Sequence, residues 1–397
     1  MKNKNMKKED EIKTVVPALR FPEFRGMNEW EENKLNSLCD IINGKCNAQD
    51  HVEGGKYPLF DRSATMKYSN DYLYDCEAII IPGEGVKFVP KYYIGKFNLH
   101  QRAYALKDFS CNGRFLFYSM EYYSGLLAIK AVKSTVLSLR LPILQNFLLY
   151  IPNNNTEQQK IADCLSSLDD LIEATAQKVE VLKEHKKGLM QRLFPAEGKN
   201  VPDLRFPEFQ RTQVWEDAIL GTVADYENGK AHENEIDEDG DFIVVNSKFI
   251  STDGEVIKRT NTPYCLADKE DILMVLSDVP NGRAIAKCFF VDESGKYTVN
   301  QRICRLRSKS INSKFLFYLI NRNPYFLSFD DGVKQTNLKK SEVLECPLMI
   351  PSSPIEQQKI ANLLSSIDDL IIATEQRIKS LEKHKKGLMQ QLFPNIL

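Results

Sequence analysis

Cysteine and histidine are the side chains most often used as nucleophiles and metal ligands, and this chain has nine cysteines and five histidines. The cysteines are odd in number and scattered from Cys39 to Cys346, and none is spaced as C-x-x-C or set beside a histidine cluster. Two histidines, His185 and His384, fall at one repeated position in highly charged sequence. The pattern indicates reduced, mostly buried thiols and argues against a disulfide framework, a zinc site or a catalytic triad. We predict no metal site and no catalytic residues.

Two short motifs resemble fragments of catalytic sites. Gly83-Glu84-Gly85 follows an apolar run and has the composition of a phosphate or S-adenosylmethionine loop, but an isolated G-x-G is weakly specific. Asn323-Pro324-Tyr325 is one proline short of the N-P-P-Y tetrad of adenine methyltransferases, and Asn-Pro commonly marks a turn. The sequence contains no Walker loop. We interpret both motifs as turns and expect no cofactor bound to this chain itself.

Short polar and basic side chains recur at matched places in the two halves of the chain, mostly where predicted strands end. Loops on a rigid scaffold often hold binding residues, and these residue types suit phosphate anchoring and hydrogen bonding to base edges. The candidate DNA-binding residues are Lys45, Arg62, Ser63, Lys87, Lys91, Arg102, Lys133, Lys230, Ser247, Lys248, Arg283, Lys287, Arg302, Lys334 and Gln335. Lysine and arginine are common on every protein surface, so a solvated surface is the alternative for each. Arg102 and Arg302 lie in β-like sequence, where a structural hydrogen bond is equally expected.

An internal duplication positions these residues. The segments that begin at Glu157 and Glu356 are identical at 27 of 39 aligned positions, and both end in LFP. Before each block, LRFPEF begins at Leu19 and again at Leu204, and a tryptophan follows it in both copies. The period of about 200 residues indicates two copies of a domain and a helix, because solenoid repeats have roughly 20 to 50 residues.

Each repeated block predicts one long helix with a continuous apolar seam, because its apolar residues step by alternating fours and threes. The seam positions are Ile161, Leu165, Leu168, Ile172, Val179, Leu182, Leu189, Ile360, Leu364, Ile367, Ile371, Ile378, Leu381 and Leu388. Capping-box spacing places the helix starts near Thr156 and Ser353, with Pro354 at the first helical position. Pro195 and Pro394 end the helices. The length and unbroken register favour pairing of the two helices over packing of each on its own domain.

The sequence outside the repeated blocks is typical of mixed α/β domains. Short β-prone runs such as AIII at 78–81 and FIVV at 242–245 are bounded by Gly, Pro, Asn and Asp, while FLFYSMEYYS and FLFYLINRN predict short amphipathic helices. The predicted fold class is α+β, with two mixed α/β domains alternating with two long helices in a pseudo-twofold internal repeat. The predicted boundaries are 1–27 for an N-terminal tail and leading segment, 28–152 and 201–350 for the domains, and 153–200 and 351–397 for the helices.

Composition and charge limit the possible functions. A chain of 397 residues is too long for one ordinary domain, and 43% apolar with 10% aromatic residues excludes a disordered or fibrous protein. The net charge of −1 gives no general attraction to nucleic acid, so a DNA partner requires local patches. Residues 17–150 carry 16 basic and 14 acidic side chains, whereas residues 202–350 carry 19 and 24, which makes the second domain net acidic. No secretion signal and no run of the roughly 20 apolar residues of a membrane helix is present, which predicts a cytoplasmic protein.

This arrangement resembles the specificity (S) subunit of a type I restriction-modification system. The resemblance rests on LRFPEF near each start, the I-P and EQxKI sequences that lead into each helix, and HKKGLMQ(R/Q)LFP at its end. It covers essentially the whole chain. It implies that each variable region is a target recognition domain for one half of a bipartite, asymmetric DNA sequence. It also implies that the helices form an antiparallel coiled coil that sets the distance between half-sites.

The resemblance further implies a chain without catalysis of its own. Two methyltransferase (M) subunits would dock on it, two restriction (R) subunits would join for cleavage, and S-adenosylmethionine, ATP and magnesium would belong to those partners. Two other functions stay open from the residues alone. One is a coiled-coil scaffold whose end domains bind proteins without sequence-specific DNA recognition, which DNA binding in the presence of the M subunit would exclude. The other is a methyltransferase with an unrecognised site, which S-adenosylmethionine binding by the isolated chain would reveal.

Overall fold

The structure, a computed structural model, describes residues 13–63, 65–133, 136–279 and 282–395, apart from the side chain of Ala48. It divides the chain into two compact units. The first unit contains the described residues up to Gln177 and those from Glu375 onward, and the second contains Lys178–Thr374. Residues 1–12 of the predicted N-terminal tail lie outside the described residues.

The first unit is organised around a six-stranded sheet. The strands of the whole unit are β1 (Thr14–Val15), β2 (Trp30–Lys34), β3 (Asp40–Asn43), β4 (Tyr57–Phe60), β5 (Lys67–Ser69), β6 (Tyr74–Pro82), β7 (Glu84–Gly85), β8 (Lys91–Leu99), β9 (Ala103–Lys107), β10 (Leu137–Ser138) and β11 (Leu148–Ile151). The sheet order is β3-β9-β6-β8-β4-β5, with β4 parallel to β8 and the other neighbours antiparallel. Strands β1, β2 and β11 form a second sheet, and β7 pairs with β10. The apolar run at 78–81 lies in β6 and is buried, as its composition predicts.

Helices cover the large sheet of the first unit. They are α1 (Leu35–Leu38), α2 (Gly113–Tyr122), α3 (Ser124–Lys130), α4 (Leu141–Gln145) and the N-terminal part of α5 (Asn155–Leu193), with short 3-10 helices at Pro22–Phe24 and Ala48–Asp50. The C-terminal part of the last helix, α11 (Pro354–Leu392), also belongs to this unit. Helix α2 confirms the helix predicted from FLFYSMEYYS. The side chain of Asn112 caps it by accepting a hydrogen bond from the Phe115 amide at 2.8 Å. Phe115 and Leu116 then enter the core beside Trp30.

The second unit contains two four-stranded sheets and two strand pairs. Its strands are β12 (Glu216–Ile219), β13 (Ala224–Asn228), β14 (Phe242–Val245), β15 (Arg259–Thr260), β16 (Leu266–Ala267), β17 (Ile272–Val275), β18 (Ser277–Asp278), β19 (Cys288–Phe290), β20 (Tyr297–Val299), β21 (Ile303–Ser308), β22 (Thr336–Asn337) and β23 (Pro347–Ile350). The orders are β13-β21-β17-β19, β15-β14-β20-β16, β12-β23 and β18-β22. Strand β14, predicted from FIVV, is parallel to β20.

The helices of the second unit match those of the first, except that α7 has no α-helical counterpart there. They are α6 (Leu220–Val223), α7 (Ser247–Ser251), α8 (Ser313–Ile320), α9 (Pro324–Leu327), α10 (Lys340–Leu344), the N-terminal part of α11 (Pro354–Leu392) and the C-terminal part of α5, with a 3-10 helix at Pro207–Phe209. Helix α8 confirms the helix predicted from FLFYLINRN. Asn312 caps it as Asn112 caps α2, by accepting from the Phe315 amide at 2.8 Å.

The two long helices begin with different caps. In α11, Ser353 accepts from the Glu356 amide at 3.4 Å and Pro354 is the first helical residue, as predicted. In α5 the predicted capping residue, Thr156, is wrong. The side chain of Asn154 accepts from the Thr156 amide at 2.8 Å, because asparagine one position before the helix presents its oxygen to the free N–H groups better than a threonine inside it. Neither long helix, nor any shorter helix among the described residues, has the length and apolarity needed to cross a membrane.

The predicted seam residues of both long helices are buried or half-buried. The large apolar residues that are exposed on these helices, such as Val181 and Ile355, lie off the seam. At the start of α5, Ile161 and Leu165 join the core of the first unit. The positions of the seam therefore match the heptad pattern of the sequence.

Within each unit, a lysine near the C-terminal end of one long helix contacts an aspartate near the N-terminal end of the other. In the first unit, Lys385 lies 2.8 Å from Asp169 and 5.1 Å above the ring of Tyr118. In the second, Lys186 makes the matching ion pair with Asp368. Lys186 and Lys385 continue the spacing of the seam, four residues after Leu182 and Leu381, and each of these charges is paired with an aspartate.

The glutamate of EQQK anchors α5 to the chain before β2. The carboxylate of Glu157 accepts two hydrogen bonds of 2.7 Å from the guanidinium group of Arg20 and one of 3.2 Å from Nε1 of Trp30. All three side chains are buried. Loss of either charged side chain would destabilise the unit, because the remaining charge would be buried without its partner.

The second unit repeats the same anchor. Glu356 accepts hydrogen bonds of 2.7 and 2.8 Å from Arg205 and one of 3.3 Å from Trp215. The arginine in each copy belongs to LRFPEF, and the glutamate belongs to EQQK. The recurrence of these sequence motifs and of the tryptophan is thus explained by one buried contact that occurs twice.

The two glutamines of EQQK attach the helix to parts of the domain that precede it in the chain. Gln158 accepts from the amide of Asn112 at 2.8 Å and donates to the carbonyl of Pro152 at 2.7 Å, while Gln159 accepts from the side chain of Asn112 at 2.7 Å. The matching residues of the second unit make the same three hydrogen bonds at 2.9, 2.8 and 2.8 Å. The repeated blocks therefore form a framework that holds each domain in the same way.

Candidate nucleic-acid interface

The first group of predicted binding residues begins at the turn after β3. A side chain at Gly44 would place its Cβ 2.0 Å from the carbonyl oxygen of Leu99, so only glycine allows this close approach. The next residue, Lys45, donates its amide to the same carbonyl at 3.1 Å and is exposed. Arg102 was predicted in β-like sequence, but it lies in the exposed turn between β8 and β9, because β8 ends at Leu99.

Arg62 and Arg102 meet at the carboxylate of Glu84. Nη1 of Arg102 lies 3.0 Å from both carboxylate oxygens, and Nη1 of Arg62 lies 3.4 Å from one of them. The arginine side chains are 62% and 59% exposed, and that of Glu84 is 22% exposed. Three separate segments of the chain therefore deliver one exposed group of charges with two cations and one anion.

Ser63 and Lys91 lie beside this group. Lys91 donates to the carbonyl of Ser63 at 3.4 Å, and the hydroxyl of Ser63 donates to Asp61 at 3.1 Å. Burial opposes ionisation of Asp61, but hydrogen bonds from Lys67 and Ser63 outweigh it and lower the pKa of the carboxyl. We call Lys45, Arg62, Ser63, Glu84, Lys91 and Arg102 the first polar edge.

Two further predicted residues lie on neighbouring segments. Lys87 is exposed and follows β7 by two residues. Lys133 is exposed and precedes β10, the strand that pairs with β7. Ser134 and Thr135, which accompany Lys133 in the sequence motif, lie outside the described residues. The structure thus brings four of the first domain's candidates into direct or bridged contact and places the others on adjoining loops.

In the second unit, a groove of about 500 Å³ collects several candidates. Its lining residues are Glu233, Ile236, Asn246, Ser247, Lys248, Lys258, Asn300 and Arg302. Three of these are basic and one is acidic. We call this the second groove. It shows how a net acidic domain can keep a local basic surface, which the charge count required for contact with DNA.

Lys230 lies on the matching turn of the second unit. Its amide donates to the carbonyl of Val299 at 3.0 Å, as Lys45 does to the equivalent strand end. Two residues later, His232 is fully buried, with Nδ1 2.7 Å from the carbonyl of Lys230 and Nε2 3.1 Å from the hydroxyl of Thr298. Both ring nitrogens therefore have structural partners, and this histidine belongs to the scaffold.

Gln335 contacts the strand pair β18-β22. Its side-chain amide donates to the hydroxyl of Ser277 at 2.7 Å. The pairing of β18 with β22 corresponds to that of β7 with β10, which places Ser277 at the position of Glu84. The sequence alone aligns Gly83-Glu84-Gly85 with residues 279–282, whereas the strand register aligns Glu84 with Ser277.

Three further candidates of the second unit, like Lys230 and Gln335, do not line the second groove. Lys287 pairs with Asp253 at 2.8 Å. Arg283 is exposed, and its carbonyl accepts from Arg322 at 2.6 Å. Lys334 is exposed in the loop before β22, where its amide donates to a carboxylate at 3.0 Å. The structure therefore brings Ser247, Lys248 and Arg302 together and disperses the other candidates.

Some residues of these surfaces were missed by sequence reasoning. Glu84 was missed because the search was for basic side chains, although its place between two glycines was noted. Lys258 and the amides Asn246 and Asn300 were missed because isolated residues of these types carry no pattern. A usable signal existed for Asn300, which directly precedes the repeated Gln-Arg pair.

Neither motif that resembled a catalytic site is one, but only one of them is a local cap: the prediction of a turn at Gly83-Glu84-Gly85 is wrong, because Glu84 and Gly85 form β7, which pairs with β10. Asn323 caps α9, since its side chain accepts from the Tyr325 amide at 2.9 Å. The described residues contain no group of three or more histidine, cysteine or acidic side chains able to hold a metal ion. The nine cysteines are free thiols, buried or half-buried, and burial raises the pKa of Cys39 to about 12 and that of Cys111 to about 11. Thiols with such high pKa values are poor nucleophiles.

Comparison with known proteins gives concordant matches. A family model described as "Type I restriction modification DNA specificity domain" matches residues 27–184 and again residues 213–383. The chain is 25% identical over 432 aligned residues to the type I restriction enzyme MjaVIII specificity subunit of Methanocaldococcus jannaschii, across 97% of this chain and 96% of that protein. It is 26% identical over 163 residues to the type I restriction enzyme EcoDI specificity subunit of Escherichia coli, across 41% of this chain and 36% of that one.

Solved structures share the fold. The crystal structure of a type I restriction-modification S subunit from M. genitalium matches with a TM-score of 0.66 and 17% identity, across 96% of this chain and 100% of that chain. A chain from a study of complex assembly and conformational transition of the type I R-M system matches with a TM-score of 0.53 and 14% identity. The double match of the family model agrees with the internal duplication seen in the sequence.

Proposed function

Since this chain belongs to the family of the type I restriction modification DNA specificity domain, we propose that it recognises a bipartite, asymmetric DNA sequence through its two α/β domains. The identification as an S subunit, made from sequence motifs, is confirmed by the family match. As an S subunit, the chain supplies DNA specificity to a restriction-modification complex and is not its catalyst. Each domain would contact one half-site.

One observation carries this proposal: a framework that occurs twice holds two different polar surfaces. The anchor made by Glu157 is repeated by Glu356 with the same partners and nearly the same distances. The first polar edge and the second groove occupy corresponding loops but differ in residues and shape. A symmetric framework with unlike surfaces suits an asymmetric target, in contrast to the palindromes bound by symmetric dimers.

We further propose that α5 and α11 form an antiparallel coiled coil that sets the distance between the half-sites. The burial of the seam supports this, as do the two lysine–aspartate contacts between the helices, which occur once in each unit. The 39 residues of each helix give a length of roughly 58 Å at 1.5 Å per residue. A rod of that length is stiff enough to serve as a spacer between two DNA contacts.

The proposed partners are double-stranded DNA, two methyltransferase subunits and two restriction subunits. S-adenosylmethionine, ATP and magnesium would be bound by those subunits. The twofold repetition of the framework supports two equivalent docking places for a methyltransferase, because surfaces formed by nearly identical sequence occur twice on the chain. The proposal assigns no cofactor to this chain.

Replacement of one domain tests the central claim. Residues 28–152 are exchanged for the corresponding domain of another S subunit, and the methylated DNA motif is determined by sequencing in cells that carry the methyltransferase subunit. One half-site should change and the other should stay the same. The matched control exchanges residues 213–350 and should change only the other half-site. If both halves change in either variant, or if the complex methylates without sequence preference, the two-domain model is wrong. The alternative of a scaffold whose end domains bind proteins is then favoured.

A further inference from the structure

The geometry points to Arg102, held by Glu84 and accompanied by Arg62, as the group that recognises guanine in the half-site of the first domain. The inference rests on the proposed function, because it names bases that this domain contacts. Glu84 acts as a positioning residue, and the two arginines make the base contacts.

Glu84 engages each arginine through a single nitrogen. Nη1 of Arg102 is 3.0 Å from both carboxylate oxygens, and Nη1 of Arg62 is 3.4 Å from one. Within the part of the chain that the structure describes, Nε and Nη2 of both arginines have no hydrogen-bond partner. Each guanidinium group is therefore fixed from one side and keeps two parallel donors on another.

The backbone beneath these side chains is also fixed. The carbonyl of Arg102 accepts from the Gly83 amide at 2.8 Å, and the amide of Arg102 donates to Nδ1 of His100 at 3.1 Å. A Cβ at Gly83 would lie 2.4 Å from the Arg102 carbonyl oxygen, so this approach requires glycine. The Gly83-Glu84-Gly85 motif thus sets Glu84 and Arg102 side by side.

Stability does not account for this arrangement. The side chains of Arg102 and Arg62 are 62% and 59% exposed, and exposed ion pairs add little to folding because water screens them and the side chains lose freedom. Two parallel N–H donors match O6 and N7 of guanine, which is the commonest specific contact in the major groove. A carboxylate that holds the arginine in place before DNA arrives reduces the ordering cost of binding.

The second domain lacks this arrangement at the corresponding place. Ser277 stands where Glu84 stands, and its hydroxyl accepts from Gln335 at 2.7 Å. Arg302, which matches Arg102, lines the second groove instead. The guanine contact is therefore assigned to the first domain alone.

The experiment selects a random duplex library with the complex of the full chain and its methyltransferase subunit. The variants are Arg102→Ala, Arg62→Ala and Glu84→Gln, and the last keeps the shape of the side chain while removing its charge. The control, Asp108→Asn, removes an exposed carboxylate at the other end of β9 and preserves its left-handed backbone conformation. Thermal unfolding of every variant confirms that the fold is intact.

We expect the native complex to require a G·C pair in the first half-site. Arg102→Ala should lose roughly 5- to 150-fold of the discrimination at that pair, the range for one bidentate contact, and Arg62→Ala should lose less, because the edge of one guanine accepts a single bidentate arginine. Glu84→Gln should relax the same position by a smaller factor, and Asp108→Asn should leave it unchanged. The second half-site should be unaffected throughout.

Two results would overturn the inference while leaving the proposed function intact. One is a first half-site that responds to domain replacement but keeps its guanine preference in every variant. The other is a uniform loss of affinity for all sequences with a reduced salt dependence, which would identify the arginines as phosphate contacts. A complex whose motif does not respond to domain replacement at all would instead contradict the proposed function.

Discussion

The two α/β domains share a framework and differ in the surfaces that the framework carries. In the first, three segments bring two arginines to one carboxylate, and the exposed cations are paired before any ligand arrives. In the second, Lys248, Lys258 and Arg302 line an open groove with one glutamate among them. The residues that anchor the helices are meanwhile identical in type and nearly identical in distance.

This contrast shows which parts of the two copies are alike and which parts differ. A single substitution in a buried ion pair is costly, because it leaves the other charge desolvated and unpaired. Exposed loops at strand ends make few such contacts, so their residues differ freely between the copies. The framework can therefore hold different surfaces in the two domains without losing stability.

Lengthening both helices should have the largest effect on function, because it alters the proposed spacer and leaves both polar surfaces unchanged. Seven residues are inserted after Val179 and after Ile378, which preserves the apolar seam. The added length of roughly 10 Å corresponds to about three base pairs of B-DNA. The methylated motif should keep both half-sites and gain about three base pairs of spacer, and the original target should be bound roughly 1,000-fold more weakly or worse.

The control for that prediction adds four residues to α5 only. This insertion introduces a stutter and makes the two helices unequal, so it should impair methylation or distort the spacing. If the variant with seven residues added to each helix is active and its motif keeps the original spacer, the helices do not set the half-site distance.

Removal of the buried glutamate tests whether the two frameworks are equivalent. Glu157→Ala leaves Arg20 buried without its carboxylate, which should cost the first unit about 3–5 kcal/mol of unfolding free energy. Glu356→Ala should cost the second unit a similar amount, because Arg205 has the same partner. Urea titration with hydrogen exchange measured by mass spectrometry assigns the loss to one unit or the other.

Glu173→Ala is the matched control, because Glu173 is exposed on the same helix and its loss should change stability by no more than about 0.5 kcal/mol. A difference of several kcal/mol in unfolding free energy between Glu157→Ala and Glu356→Ala would mean that the two anchors do not contribute equally to stability.

The parts of the fold that the sequence predicted are those that depend on local periodicity. The seam positions, α2 and α8 follow from spacing along a single helix, where neighbours in sequence are neighbours in space. The start of α5 at Asn155 lies one residue from the predicted Thr156, but the capping residue was wrong, because asparagine and threonine both cap helices and only geometry selects Asn154.

The polar surfaces were less predictable because they depend on contacts between distant segments. Glu84 reaches arginines 22 residues before it and 18 residues after it, and nothing in the local sequence signals this. Arg102 was expected in β-like sequence, and the end of β8 at Leu99 put it in a turn. Matched basic residues identified the right loops, but they did not show which side chains meet.

The smallest predicted effect concerns a position where the two frameworks differ. Lys314 occupies in the second unit the place that Arg114 occupies in the first, at the start of α8 and α2. Its ammonium lies 4.1 Å above the ring of Phe290. Burial lowers the pKa of Lys314 below the lysine value of 10.5, and Lys186 adds to this, while the carboxylates at 368 and 369 oppose it.

The sign of the pH dependence follows from that direction. Between the lowered pKa and 10.5, the folded state binds fewer protons at Lys314 than the unfolded state does, so this residue makes folding more favourable as the pH rises. In Lys314→Met this contribution is absent. The native chain should therefore gain stability relative to Lys314→Met as the pH rises toward 10.5, as measured by urea denaturation of the second unit. Arg114→Met is the control and should show no such trend, because guanidinium groups do not titrate in that range. A difference between the native chain and Lys314→Met that stays constant from pH 7 to pH 10 would show that the lysine is as well solvated in the folded state as in the unfolded one.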